Sequence, residues 1–280
     1  MPLSRTHAVV GTAAALIAGT ALLAAIWAGG SPRQPSVTIG LPPPASDRIY
    51  ASALARGRPI VVIDAGHGGR DPGAHSVSGE LTEKQLTLAL ARELRDQLVK
   101  RGRLRVAMSR DDDSYLTLED RAAVARRLNA ALFISLHMDS APNPLARGAS
   151  VYSLSDVASD AEAARFAAIE NRAGTSNRAG GSVAALLSDL AMQSQMTASA
   201  DLAARLVNKS AGRFALRPEA HRFADFHVLR RADTPAVLFE AGYISNVDDE
   251  QLLRSPEHRA RIALALAQAI EADVATRSRR

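Results

Sequence analysis

An α/β fold built on a mainly parallel sheet is predicted by two features of this 280-residue sequence. From position 58 onward, short apolar runs alternate with helix-length amphipathic segments, and three of those runs give way to His67, His137 and Glu240. Strands separated by helices of this length form βαβ units and hence a parallel sheet. A buried strand has no structural use for a terminal imidazole or carboxylate, whereas ligands of open α/β sheets bind beyond the carboxyl ends of the strands. Three such ends in one chain point to one shared site.

The elements follow in order. Arg5 and His7 precede an uncharged apolar run, and residues 1–30 read as a signal peptide or an N-terminal membrane anchor. The run is long enough to span a bilayer, while small residues near Ala25 suit cleavage. Either way the basic flank stays inside and the rest is exported, to the periplasm or cell envelope. Residues 31–57 carry Pro32, Pro35, Pro42, Pro43 and Pro44 and read as an extended linker. Residues 58–276 form the main domain, followed by a basic tail at 277–280. Within the domain, 59–64 is a strand that is apolar until its last residue. Thr82 caps a helix running to about Lys100, with Leu86, Leu90, Leu94 and Leu98 on one stripe and Gly102 at its end. A strand at 105–109, a helix at 117–129, and strands at 131–137 and 149–154 follow. Strands at 226–229 and 236–240 and helices at 246–253 and 256–275 close the chain, giving six strands. Between them, 155–197 contains Gly174, Gly180, Gly181 and two short amphipathic helices at 160–171 and 182–190. A stretch that long inside a domain is functional or mobile, and it reads as an inserted helical segment.

Composition narrows the chemistry. The chain has no cysteine, so disulfides, thiolate metal sites and cysteine nucleophiles are excluded. A net charge of +5 suits an anionic surface. With 4% aromatics and no dense basic stripe, nucleic acid is not an expected partner.

His67 lies in "DAGHGG", where glycines let the backbone turn sharply near a ligand. A metal role and a solvated turn histidine both fit, but a phosphate loop does not, because the lysine and its spacing are missing. Glu83, in the first turn of its helix, either complements the helix dipole or, sharing a face with Leu86, Leu90 and Leu94, points at the sheet, where a carboxylate wants a cation. His137 is either a satisfied core histidine or a rim residue. Glu240 is either half of a structural ion pair or a partly buried base with a raised pKa. Two histidines and a glutamate with an open fourth position are the ligand set of hydrolytic zinc sites.

At these residues the chain resembles the zinc-dependent N-acetylmuramoyl-L-alanine amidases of the amidase-3 family, in "VVIDAGHGGRDPGA", "LTEKQLTLALARELRDQL", "VAMSRDDDSYLTLEDRAAVAR", "ALFISLHMDSAPNP", "GASVYSLS" and "PAVLFEAGYISN". The resemblance implies a three-layer αβα domain whose mixed, mainly parallel six-stranded sheet carries one Zn2+ at its strand ends. It implies His67, Glu83 and His137 as the zinc ligands and Glu240 as the catalytic glutamate. It also implies a substrate, peptidoglycan, cut between N-acetylmuramic acid and L-alanine. "ARFAAIEN" and "LLSDLAMQSQMTASADLA" resemble the cell-division branch, in which an inserted helix covers the site until an activator protein displaces it. The matching ligand is Glu170, and its spacing agrees: if Phe166 packs down, Glu170, four residues on, points down too. Ala65, where Pro is usual, and Met138-Asp139, where Ala-Asn or Ala-Asp is usual, depart from the family pattern without removing a ligand. His227 is a candidate for lining the groove, and His75 and His221 read as loop residues. The rival readings are another zinc-dependent wall peptidase or deacetylase, and a silent wall-binding regulator. Loss of a ligand or of the glutamate would mark the regulator, and all four residues are present.

Overall fold

Apolar strands buried on both sides need helices on both sides, and the computed structural model has that arrangement. It describes residues 47–173 and 183–279. The chain divides into two units, Met1–Leu41 and Pro42–Arg280, and the described residues all belong to the second. The predicted targeting segment and residues 31–46 of the predicted linker lie outside them.

Seven strands form one mixed sheet: β1 (Ile49–Tyr50), β2 (Ile60–Ala65), β3 (Arg105–Met108), β4 (Leu132–Asp139), β5 (Ala149–Leu154), β6 (Leu216–Ala224) and β7 (Ala236–Tyr243). The order across the sheet is β1-β3-β2-β4-β7-β5-β6. Strands β3, β2, β4 and β7 run parallel. Strand β1 is antiparallel to β3, and β5 to β7, while β6 is parallel to β5. Helices α1 (Glu83–Arg101), α4 (Val183–Ser210) and α7 (Pro256–Arg277) cover one face of the sheet. Helices α2 (Leu118–Arg127), α3 (Ala161–Glu170) and α5 (His227–Arg230) cover the other, and α6 (Val247–Arg254) follows β7. The result is a three-layer αβα domain. Among the described residues no helix is long and apolar enough to cross a membrane.

Four expectations need correction. The sheet has seven strands, because Ile49–Tyr50, inside the predicted linker, pairs with β3. The buried Ala55 nearby shows that the folded domain starts before residue 58. The last edge strand is Leu216–Ala224, not 226–229, which is the short helix α5. Finally, the second helix of the insert does not stop at 190. It runs to Ser210, and Leu202, Ala203 and Leu206 enter the main core, so much of α4 is a layer of the domain.

Local chemistry sets the element ends. The Gln85 side chain accepts from the Thr82 N–H at 2.9 Å, and Gly102 ends α1 in the left-handed region (φ 67°). Thr117 and Asp120 form a capping box on α2. Strand alternation then separates the chemistry. On the α1 side β2 shows Val61, Ile63 and Ala65, and β4 shows Leu132, Ile134 and Leu136. On the α2–α3 side β2 shows Ile60 and Val62, and β4 and β7 show Phe133 and Leu238. Further along those same period-2 positions come Asp64, Ser135, His137 and Glu240, all buried. One face of the sheet thus turns polar at its carboxyl end.

Candidate metal centre

Where β2 ends, the backbone cannot continue as a strand, because Gly68 and Gly69 have positive φ and His67 itself sits at φ 59°. A non-glycine residue held there costs about 1–3 kcal/mol, and two buried arginines hold it. Arg121 donates to Asp64 at 2.9 Å, to the Ala65 carbonyl at 2.6 Å and to the His67 carbonyl at 2.5 Å. Arg110 donates to the carbonyls of Ala65 at 2.9 Å and Gly66 at 2.7 Å. Burial and the neighbouring Arg121 push the Arg110 guanidinium down to about 10. Neither arginine was singled out as a site residue from the sequence.

The loop, α1, β4 and α3 bring four donor groups together. His67 Nε2 lies 3.0 Å from Glu83 Oε1, and His137 Nδ1 lies 3.1 Å from the same oxygen. Glu170 Oε2, arriving from α3, is 3.7 Å from His67 Nε2 and 3.4 Å from His137 Nδ1. His67 Nε2 makes no hydrogen bond of acceptable geometry. His67, His137 and Glu170 offer ligand atoms all within 4.8 Å of one another, a group able to hold a metal ion. A tetrahedral ion with metal–donor distances of about 2.0–2.1 Å separates its ligands by about 3.3 Å, and the four N···O separations bracket that figure. Asp71 Oδ2, at 2.9 Å from His67 Nδ1, orients the imidazole so that Nε2 faces the cluster. Asp71 lies in a quoted motif, but loop spacing gave no sign of its direction.

Electrostatics agree. Burial disfavours a charged His67, but Glu83, Asp71 and Glu170 outweigh it and push the imidazole up to about 11. Burial would raise Glu83, yet His67 and His137 hold it well below the ordinary carboxyl range. Burial dominates at Glu170 and raises it. The cluster is built to hold positive charge.

Glu240 stands apart. It is the in-register neighbour of His137 across the β4–β7 pair, so both side chains leave the same face of the sheet. It is fully buried, and neither carboxylate oxygen has a hydrogen-bond partner among the described residues. Burial, then Asp139, Glu83 and Glu170, raise it well above the ordinary carboxyl range. A cavity of about 810 Å³ opens over the cluster, lined by His67, Glu83, His137, Arg121 and, from α3, Phe166 and Glu170. Glu240 is not on its wall. Neither is His227, although Phe226 and Val228 on either side of it are. His75 pairs with Thr82 in an isolated bridge, and His221 lies in β6 against Ser153 rather than in a loop.

Comparison with known proteins places this geometry. The sequence profile described as N-acetylmuramoyl-L-alanine amidase matches residues 61–272, which contain all the residues above. The chain belongs to the N-acetylmuramoyl-L-alanine amidase family. Its relatives include N-acetylmuramoyl-L-alanine amidase AmiC of Neisseria meningitidis serogroup B, 35% identical over 76% of this chain and 52% of that protein. N-acetylmuramoyl-L-alanine amidase AmiA of Escherichia coli K12 is 34% identical over 76% of this chain and 75% of that one. The chain therefore spans about half the length of the first of these relatives. Among solved structures, the catalytic domain of CwlV, an N-acetylmuramoyl-L-alanine amidase from Bacillus (Paenibacillus) polymyxa var. colistinus, superposes with a TM-score of 0.55 at 28% identity. That match covers 76% of this chain and 96% of that domain.

The amidase-family site depends on one missing side chain. A Cβ on Gly66 would lie 2.5 Å from Cε1 and Nε2 of His137, so Gly66→Ala must push that ring out of the cluster. Divalent-metal affinity is expected to fall by about 10–100-fold, the loss seen when groups that orient a ligand are removed. Competition with a chelator measures it, and unchanged affinity would refute the role given to Gly66.

Proposed function

We propose that the protein is an exported zinc hydrolase that cleaves the amide between N-acetylmuramic acid and L-alanine in peptidoglycan, for septal wall splitting or remodelling. The observation that carries this reading is the approach of His67 Nε2 and His137 Nδ1 to within 3.0 and 3.1 Å of Glu83 Oε1, beside the unpartnered Glu240. His67, Glu83 and His137 would hold the zinc. When bound, zinc polarises the scissile carbonyl and lowers the pKa of a water. Asp71 keeps His67 in register, and Glu83 Oε1 is itself fixed by the Met138 N–H at 3.0 Å. Glu240 takes the proton of the attacking water and returns it to the departing amine of L-alanine, the work of a base whose pKa burial has raised above the ordinary carboxyl value.

In the same reading Glu170 is a fourth ligand that keeps the enzyme off. Its helix covers the site, and Glu240 has no exposed surface. Helix α3 is tied at both ends. Glu162 makes a bidentate pair with Arg217 at 2.8 and 3.0 Å. Asn171, just past the helix, donates to the Asp225 carbonyl at 2.7 Å and accepts from the His227 N–H at 2.8 Å. An activator protein would have to loosen these ties and displace the helix. The predicted leader at 1–30 would place the domain in the periplasm or envelope.

Digestion of purified peptidoglycan tests the activity. An amidase frees intact stem peptides with an L-alanine amino terminus, whereas a peptidase or deacetylase does not. Glu170→Ala is expected to raise hydrolysis, about tenfold for each 1.4 kcal/mol the contact contributes to the closed state, with one zinc per chain retained. A wild-type chain already as active as this variant would overturn self-inhibition.

A further inference from the structure

The cavity wall is unbalanced in charge. Its four acidic residues are all turned inward: Asp64 to Arg121, Asp71 to His67, and Glu83 and Glu170 to the imidazoles. Three arginines on the same wall, Arg70, Arg165 and Arg172, form no ion pair with any described carboxylate. Arg165 and Arg172 belong to α3 and the turn after it, the part expected to move. Arg70 belongs to the fixed part. It sits in a tight turn closed on both sides, with Gly68 N–H donating to the Asp71 carbonyl at 2.9 Å and the Asp71 N–H donating back at 3.1 Å. Gly69 in that turn is tied to Asp113 at 2.9 Å and to Lys84 at 2.8 Å. The guanidinium lies 4.2 Å from the centre of the Tyr115 ring, which also lines the cavity. An arginine on an aromatic face keeps its planar fork free for a bidentate partner. Here it is an exposed cation with backbone and side chain already ordered, three residues from His67.

We propose that Arg70 is a specificity-determining residue that binds a free carboxylate on the stem peptide, so that the site prefers acidic stem peptides over peptides whose carboxylates are capped as amides. This rests on the amidase reading. Chemistry selects the ligand class: the unused charge on the wall is positive, and a guanidinium recognises a carboxylate in a planar, two-point contact that an amide cannot complete. Because the turn and the Tyr115 stack are in place beforehand, little ordering is lost on binding.

The test uses the full chain carrying Glu170→Ala, with and without Arg70→Gln or Arg70→Lys. The probes are two muramoyl peptides that differ only in free or amide-capped carboxylates. Arg70→Gln is expected to lower kcat/KM on the acidic peptide by about tenfold, the size of one charge-assisted contact at a solvated rim. It should leave the capped peptide within about twofold, and Arg70→Lys should recover part of the loss. Equilibrium binding of both peptides is measured in parallel on chains also carrying Glu240→Gln, where the same discrimination should appear in Kd. Equal losses on the two peptides, no loss on either, or no binding of either would overturn the assignment. Turnover of neither peptide, with the binding preference intact, would instead overturn the amidase reading and leave Arg70 as a carboxylate site.

Discussion

Glu240→Gln is expected to reduce wall hydrolysis by about 10²–10⁴-fold, the range for removing a positioned general base, while zinc content stays at the wild-type level. Glutamine keeps the volume and shape of the side chain but cannot take a proton from water. The ligand cluster does not use Glu240 to set its own geometry. His67 is fixed by Asp71, and Glu83 by the N–H groups of Met138 and Ala74, each at 3.0 Å. The same substitution is expected to stabilise the fold. Glu240 is fully buried with both oxygens unpartnered, and its folded pKa lies well above the ordinary value. A carboxyl group raised in the folded state binds its proton more tightly there than in the unfolded chain. It therefore destabilises the fold once the pH exceeds the unfolded carboxyl value, and more so as the pH rises toward the folded one. Glutamine removes that penalty at neutral pH. The thermal midpoint should rise by about 2–4 °C for each kcal/mol relieved in a domain of this size. Activity lost and stability gained together mark a residue kept for chemistry. Retained turnover in the variant would refute the assigned role.

What the sequence revealed follows the same physics. Strand β4 and helix α1 were legible because most of their buried positions are apolar. The polar ends were legible because His137 and Glu240 each put an ionisable side chain where an apolar run gives way. Strand β6 was not legible. Its sequence, LRPEAHRFA, carries Pro218 and three charges, as edge strands do. Its inward position at Arg222 is filled by a buried cation answered by Asp160 and Glu162 rather than by an apolar side chain. The stretch Phe226-His227-Val228-Leu229 offered a false strand in its place, because four residues are too few to show a period. Among the residues that gather at the candidate site, the imidazoles and Glu83 could be picked out from the sequence, whereas Asp71, Arg110 and Arg121 could not. Arg121 lies five and six residues before Arg126 and Arg127 in a helical pattern where charge normally marks the wet side. Only the fold shows that it points at the sheet.

Arg121 therefore gives the largest expected effect on stability. Its side chain is 4% exposed and that of Asp64 is 1% exposed. Asp64 also accepts from Ser109 Oγ at 2.6 Å and Ser135 Oγ at 2.7 Å. Burial alone would raise the Asp64 carboxyl, but Arg121 and the two hydroxyls reverse that and hold it below the ordinary value. In the native protein this group thus contributes stability above the unfolded carboxyl pKa, and the contribution is lost as pH falls through the folded one. Arg121→Leu leaves the desolvation in place without its cation, and breaking a buried pair this way costs about 3–5 kcal/mol. It also takes the donor from the His67 carbonyl and leaves the Ala65 carbonyl to Arg110 alone, which loosens the metal loop, so metal affinity should fall with stability. The pH response identifies the cause. Without Arg121 the carboxyl of Asp64 is raised in the folded state, so the deficit relative to wild type should be largest at neutral pH and narrow as the medium is acidified. Asp64→Asn in the Arg121→Leu background removes the uncompensated charge and should recover part of the lost stability, although not the loop contacts. Denaturant unfolding of the two single variants and the double variant at neutral and acidic pH measures the coupling. Additive losses would show that Arg121 acts through the loop carbonyls alone and that the buried ion pair contributes nothing.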